Sequence, residues 1–176
     1  MVGIKGNRRT LYSKKVIIDA FLLLLQEKNL NKITVTEICK EADINRGTFY
    51  SYYSDPFDLM RSIEDEMIEK MMSTINNSGD KSLYGILNLI LNNKEFFKII
   101  LNEKSSSRVL NTILNSTYES TIAEKKQLPN ADETHLEYYF TYSAGGTIEA
   151  IRKWINDDME IPPAEFVQMI ESMYVI

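Results

Sequence analysis

Between Thr34 and Tyr53 the sequence gathers side chains suited to an anionic polymer: Thr34, Thr36, Asn45, Arg46, Gly47, Thr48, Tyr50 and Tyr52. Hydroxyl and amide groups donate to phosphate oxygens and fix the register of a duplex, while a guanidinium can place two parallel hydrogen bonds on the major-groove edge of a guanine. Gly47 has no side chain to hold a nucleic-acid backbone or base edge away. The stretch from Ile44 to Ser54 contains no acid, although the 176-residue chain carries a formal net charge of -5. The same spacing also fits a tight helical hairpin that merely exposes its tyrosines.

Other chemistries lack their parts. His135 is the single histidine and Cys39 the single cysteine, and no metal-ligand spacing, phosphate-binding loop or glycine-rich nucleotide motif occurs. Carboxylate pairs such as Asp157 and Asp158 fall near a helix end, where they read as solvated. The expectation is a protein that is not an enzyme and uses no cofactor or metal. One cysteine cannot form a disulfide within one chain, and the simplest setting is the cytoplasm. The longest apolar run, Val16 to Leu25, is interrupted by Asp19 and falls short of the roughly 20 residues that span a bilayer. No basic, apolar, small-residue signal pattern opens the sequence, so no membrane partner is expected.

Charge divides the chain. Residues 1–54 carry nine Lys or Arg against five Asp or Glu, a balance of +4, and residues 55–176 carry eleven against twenty, a balance of -9. A basic head on an acidic body means that only the head would meet a polyanion, unless the division is an ordinary fluctuation of solvated charge. With 44% hydrophobic residues the chain can bury a packed core.

The elements that must position these groups all read as helices. From Leu11 to Gln26, Val16, Ile17, Ala20, Phe21, Leu24 and Leu25 recur at three- and four-residue steps and make one apolar stripe. Thr34 is an N-cap, with Glu37 completing a capping box, for a second helix that runs to Ala42. Asn45 caps a very short third helix that ends at about Tyr50. Ser54 or Asp55 caps a fourth with Pro56 as its first residue, where the missing N–H costs nothing, and Asp58 suits the helix dipole. Further helices are predicted over 82–92, 94–102, 106–126, 132–157 and 163–174. Strand-type alternation with Asn-Gly or Asp-Gly turns is absent, which makes the fold class all-α.

A turn of about three residues between the second and third helices gives the dimension of a helix-turn-helix unit. Ala42 is small where the helices approach, and Ile38, Ile44 and Phe49 form a miniature core. Taken together, "ITVTEICKEADINRGTFYSYYSDPFDLM", Ile33–Met60, resembles the DNA-binding signature of the TetR family of bacterial transcription regulators. Thr34, Ile38, Ala42, Gly47, Thr48, Tyr50 and Leu59 match outright, while Ile44, Asn45, Phe49 and Tyr53 are close substitutes. The resemblance implies a repressor-like homodimer on double-stranded operator DNA. Its domains would be a three-helix helix-turn-helix head, residues 1–55, and a helical body, residues 56–176, that dimerises and often binds a small-molecule inducer. In its terms Thr34, Asn45, Thr48, Tyr50 and Tyr52 hold phosphates, with Thr36 and Gly47 at the same DNA-binding surface. Arg46 is the leading base reader, and Phe49 and Tyr53 are core.

Four positions depart from the family pattern. The turn glycine is Asp43, which tolerates a left-handed backbone but brings a carboxylate near the phosphates. The lysine often found at the start of the fourth helix is Pro56, which removes one phosphate contact. The usual histidine is Tyr52, which keeps a donor and loses charge. Cys39 stands where the family usually has a buried alanine, which suits a packed thiol. Upstream, Arg8, Arg9, Lys14 and Lys15 form a basic cluster at the start of the first helix, either an arm along phosphates or in a minor groove, or a frayed solvated terminus.

Tyr138–Ile170 resembles the C-terminal domain of the dihydroxyacetone-kinase-regulator-like subgroup, through an aromatic-rich helix with a Gly-Gly pair, a Trp eight residues later and a Pro-x-Glu start to the last helix. Ala144, Gly145 and Gly146 form a flat notch that suits a close helix neighbour, from a partner subunit or from the same chain's core. Phe166, Met169, Ile170 and Met173 recur at helical spacing for the same purpose. Tyr84, Phe96, Phe97, Tyr118, Tyr138, Tyr139, Tyr142 and Trp154 line an inducer cavity or fill the core. A helical ligand-sensing or protein-interaction co-regulator without a DNA site of its own stays open as the alternative.

Overall fold

A computed structural model describes residues 3–78, 82–102, 108–112, 114–115 and 132–173, all-α and without a strand among these residues. The chain forms two compact units, Met1–Glu66 and Met67–Ile176. The first holds α1 (Gly3–Glu27), a 3-10 turn (Leu30–Lys32), α2 (Val35–Glu41) and α3 (Arg46–Tyr50); α4 (Pro56–Ser78) begins there and ends in the second. The second continues with α5 (Ser82–Asn92), α6 (Lys94–Asn102), helical residues at 108–112 and 114–115, α7 (Glu133–Asn156) and α8 (Pro163–Ser172). Of the helix predicted over 106–126, the remainder lies outside the described residues, as does Tyr118. No described helix is long and apolar enough to cross a membrane.

In the first unit α1 packs on α2 and α2 on α3. The stripe of α1 buries Ile17, Ala20, Phe21 and Leu24, and the other elements bury Ile33, Ile38, Cys39, Phe49, Tyr53, Leu59 and Ile63. Two expectations change. α1 begins at Gly3, ahead of the apolar stripe that starts near Leu11, and no proline breaks the basic segment before that stripe. Ile44 is half-buried, so the miniature core rests on Ile38 and Phe49, both fully buried.

The second unit packs α6 on α7, and α5 on both α6 and α8. Trp154 stacks on Phe166 at 5.1 Å between ring centroids, and its indole Nε1 donates to the Ile161 carbonyl at 2.8 Å, so the one buried indole N–H is satisfied. Phe96 and Phe97 are buried edge-to-face. α7 ends in a Schellman arrangement: the Asp158 N–H donates to the Ile155 carbonyl and the Met159 N–H to the Trp154 carbonyl, with Asp158 and Met159 both at positive φ. Lys94 and Lys98 of α6 clamp the Asp158 carboxylate at 3.2 and 2.9 Å, and buried Met159 closes the turn.

Candidate nucleic-acid interface

The candidate residues sit on two helices too short to stand alone, seven and five residues long, so their ends must be fixed by side chains. At the start of α2, Thr34 Oγ1 accepts the Glu37 N–H at 3.3 Å and Glu37 Oε2 accepts the Thr34 N–H at 2.9 Å, which is the capping box read from the sequence. The Thr34 hydroxyl proton also goes to Glu37 Oε2, at 2.7 Å, so that hydroxyl is committed to the cap. Lys28 Nζ binds the other carboxylate oxygen at 2.5 Å. The hydrogen bond from Lys28 and those from Thr34 hold the Glu37 carboxyl down to about 2.

α2 stops through a second Schellman turn. The Asp43 N–H donates to the Lys40 carbonyl, the Ile44 N–H donates to the Cys39 carbonyl at 3.0 Å, and Asp43 takes the left-handed φ of 49° where glycine is usual. Two residues on, Asn45 Oδ1 accepts the Thr48 N–H at 2.8 Å and the Thr48 hydroxyl at 3.2 Å, capping α3. A Cβ at Gly47 would lie 3.2 Å from Asn45 Oδ1, a tight contact that the capping side chain would have to yield to by a few tenths of an ångström. The start of α4 is fixed similarly: Asp55 Oδ1 accepts the Asp58 N–H at 2.7 Å and Asp58 Oδ2 accepts the Ser54 N–H at 2.9 Å.

With its ends fixed, α3 buries Phe49 and turns its polar groups outward. Asn45, Arg46, Gly47 and Tyr50 are exposed and Thr48 and Tyr52 half-exposed. Neither tyrosine hydroxyl bonds to a described residue, and the Tyr50 ring packs its edge against Phe49 at 5.7 Å. Lys14 of α1 stands over the Tyr52 ring, 6.0 Å from its centroid, which brings a cation to the end of α3. Arg46 Nη2 donates to Thr36 Oγ1 at 2.7 Å, so Thr36 and Arg46 meet across the turn. The surface thus combines cations, unclaimed phenol hydroxyls and no carboxylate partner for Arg46 among the described residues, a set suited to a polyanion. Cys39 lies beneath it, buried, its thiol pushed up by that burial.

Residues 77–174 match a TetR-type family model described as a transcriptional regulator C-terminal region, and residues 17–62 match the model of bacterial regulatory proteins of the tetR family. The chain belongs to the TetR family. It is similar to the uncharacterized HTH-type transcriptional regulator YxbF of Bacillus subtilis (strain 168), 23% identical over 163 residues, which are 86% of this chain and 42% of that protein. The chain spans less than half the length of the curated relatives it matches. Among solved structures, the dihydroxyacetone kinase operon activator DhaS aligns with a TM-score of 0.59 at 21% identity, over 92% of this chain and 95% of that one. FadR from Bacillus subtilis, solved in complex with stearoyl-CoA, aligns at 0.63 and 19% identity over 89% and 95%. These two share the fold.

Against the TetR pattern, the turn residue Asp43 is accommodated because its backbone adopts the left-handed form, and Pro56 opens α4 as its first residue. The basic cluster of Arg8, Arg9, Lys14 and Lys15 lies within helical α1. Sequence reading had no signal for the Lys28–Glu37, Lys14–Tyr52 and Thr36–Arg46 pairings, which form across turns.

Because the folded Glu37 carboxyl titrates near 2, below its ordinary 4.5, the stability it contributes is full above about pH 4.5 and is lost as pH falls through about 2. Denaturant midpoints followed by circular dichroism should therefore fall more steeply across that window in the wild type than in Glu37→Gln. Parallel curves would show that the capping carboxylate is not a source of acid sensitivity.

Proposed function

We propose that this TetR-family chain is a sequence-specific DNA-binding transcriptional regulator that works as a homodimer and represses by occupying its operator until a small molecule releases it. Residues 1–55 carry DNA binding, and residues 56–176 carry dimerisation and inducer binding. The observation that supports this most is Arg46: it is exposed at the start of a capped α3, held by a hydroxyl, and has no carboxylate partner among the described residues. An arginine so placed can meet guanine in the major groove. Asn45, Tyr50 and Tyr52 hold phosphates, joined by Thr48 and Lys14; Thr34 serves the surface chiefly by capping α2, and Gly47 by making room for the Asn45 cap and the duplex. A second reading, activation rather than repression, is favoured by DhaS of Lactococcus lactis, 30% identical over 84 residues and named a transcriptional activator.

The dimer reading rests on α7. Tyr138 and Tyr142 are 75% and 81% exposed, and nothing described lies within 4 Å of a Cβ built at Gly145 or Gly146. Glycine inside a helix costs about 1 kcal/mol relative to alanine, and no described neighbour within this chain uses the space it leaves. A partner subunit's helix on this face would, covering the two tyrosines and Met173 as well. Of the aromatics weighed as cavity walls, Phe96, Phe97 and Trp154 are buried core, whereas Tyr84, Tyr138, Tyr139 and Tyr142 are exposed. A shallow groove of about 100 Å³ on this face, lined by Tyr142, Ser143, Gly146, Thr147, Ile170 and Met173, is too small for a ligand site of the usual ~300–1,000 Å³. The stearoyl-CoA named in the FadR structure shows that this fold can take a small molecule, and inducer binding by this chain is proposed on that footing.

On a duplex recovered by the protein from a randomised pool, Arg46→Ala should weaken binding by about 1–3 kcal/mol and relax the preference at one base per half-site. Recovery of no specific duplex at moderate salt would contradict the reading. Gly145→Leu should leave the helical signal intact and shift sedimentation from dimer to monomer; an unchanged dimer would place the interface elsewhere.

A further inference from the structure

Arg46 is the first residue of α3, where the positive end of the helix dipole disfavours a cation and where a long exposed side chain would ordinarily sample many rotamers. It nevertheless has a defined seat. Its Nη2 donates to Thr36 Oγ1 at 2.7 Å, reaching across the turn to the second residue of α2. Thr36 is β-branched, which limits χ1 to few rotamers, and its hydroxyl oxygen is within hydrogen-bond reach as the acceptor. The acceptor is also neutral. A carboxylate at this position would cancel the charge that a polyanion needs, whereas the hydroxyl occupies one of five guanidinium N–H donors and leaves four.

We propose that Thr36 is a positioning residue for the sequence reader: its hydroxyl oxygen holds the Arg46 guanidinium in the arrangement that meets a guanine edge, and so sets how sharply that base is discriminated. This rests on Arg46 reading a base. A bidentate contact to guanine O6 and N7 needs two N–H groups aligned in one plane, and a guanidinium free to swing must give up rotamer entropy to reach that alignment. Phosphate neutralisation needs only charge nearby. Removing the Thr36 acceptor therefore reduces discrimination at one base by more than it weakens sequence-independent binding.

The test uses the full chain and a duplex selected by the wild type from a randomised library, with the base under Arg46 assigned as the one whose preference Arg46→Ala abolishes. Affinities for the four duplexes that differ at that base are measured for wild type, Thr36→Val, Thr36→Ser, and Thr36→Val combined with Arg46→Ala, at two salt concentrations, with denaturant midpoints as a check on folding. Thr36→Val should lower the preference for guanine about three- to tenfold, Thr36→Ser should retain it to within about twofold, and Thr36→Val should cost nothing further once Arg46 is alanine. A Thr36→Val loss that is equal on all four duplexes, or that persists without Arg46, would show that Thr36 touches DNA itself and would overturn the proposal. So would a Thr36→Val protein that discriminates as the wild type does. If Arg46→Ala leaves every preference intact, or no duplex is selected at all, the underlying reading fails first and takes the proposal with it.

Discussion

The turn from Ala42 to Asn45 is the constraint on which the candidate nucleic-acid surface depends. A five-residue helix makes too few internal hydrogen bonds to offset its own ordering, and α3 exists because both ends of the turn are tied. On one side the Asp43 and Ile44 amides return to the Lys40 and Cys39 carbonyls; on the other, Asn45 Oδ1 collects the Thr48 amide and hydroxyl. Asp43 in the left-handed region is the hinge of both. Burial of Phe49 then fixes which face of α3 turns inward, and everything opposite it, Arg46 above all, is thereby turned out.

The electrostatics follow from which polar groups are already committed. Glu37, the acid closest in sequence to the candidate surface residues of α2, is tied to Thr34 and Lys28 and held ionised, so it serves the cap. Arg46 and the α1 cations carry no such neutralisation from α2 or α3, and Lys14 extends the positive charge to Tyr52. In the second unit the same kind of left-handed aspartate appears with the opposite use: Asp158 is clamped by Lys94 and Lys98, where it anchors a loop against α6. One backbone device thus closes a helix in both units, and its side chain is left exposed at the candidate interface and ion-paired in the body.

Local chemistry was legible in the sequence. The Thr34–Glu37 box, the Asn45 cap and Pro56 as first helical residue depend on neighbours within a few positions, and spacing reveals them, while the left-handed Asp43 was legible only through its place at the family's turn glycine. What spacing cannot reveal is which separated side chains meet. Lys28 finds Glu37, Thr36 finds Arg46, Lys14 finds Tyr52, and Asp158 finds lysines some sixty positions earlier, each through packing that periodicity does not encode. The aromatics of the body were ambiguous for a related reason. Phe96, Phe97 and Trp154 look the same as Tyr138 and Tyr142 in a helical pattern, and only the neighbours decide that the first three are core and the last two exposed. α1 starts at Gly3, ahead of the apolar stripe, where the sequence carries no apolar periodicity to mark a helix.

As proposed, α3 presents Arg46 to guanine in the major groove, twice in a symmetric complex. Methylation interference on a selected duplex tests it most directly, because a methyl group on guanine N7 blocks that edge and nothing in the minor groove. The account predicts loss of binding on methylation at two symmetry-related guanines in adjacent major grooves, about one helical turn apart, and disappearance of both signals in Arg46→Ala. Binding that is indifferent to N7 methylation, or interference at a single unrepeated position, would contradict it.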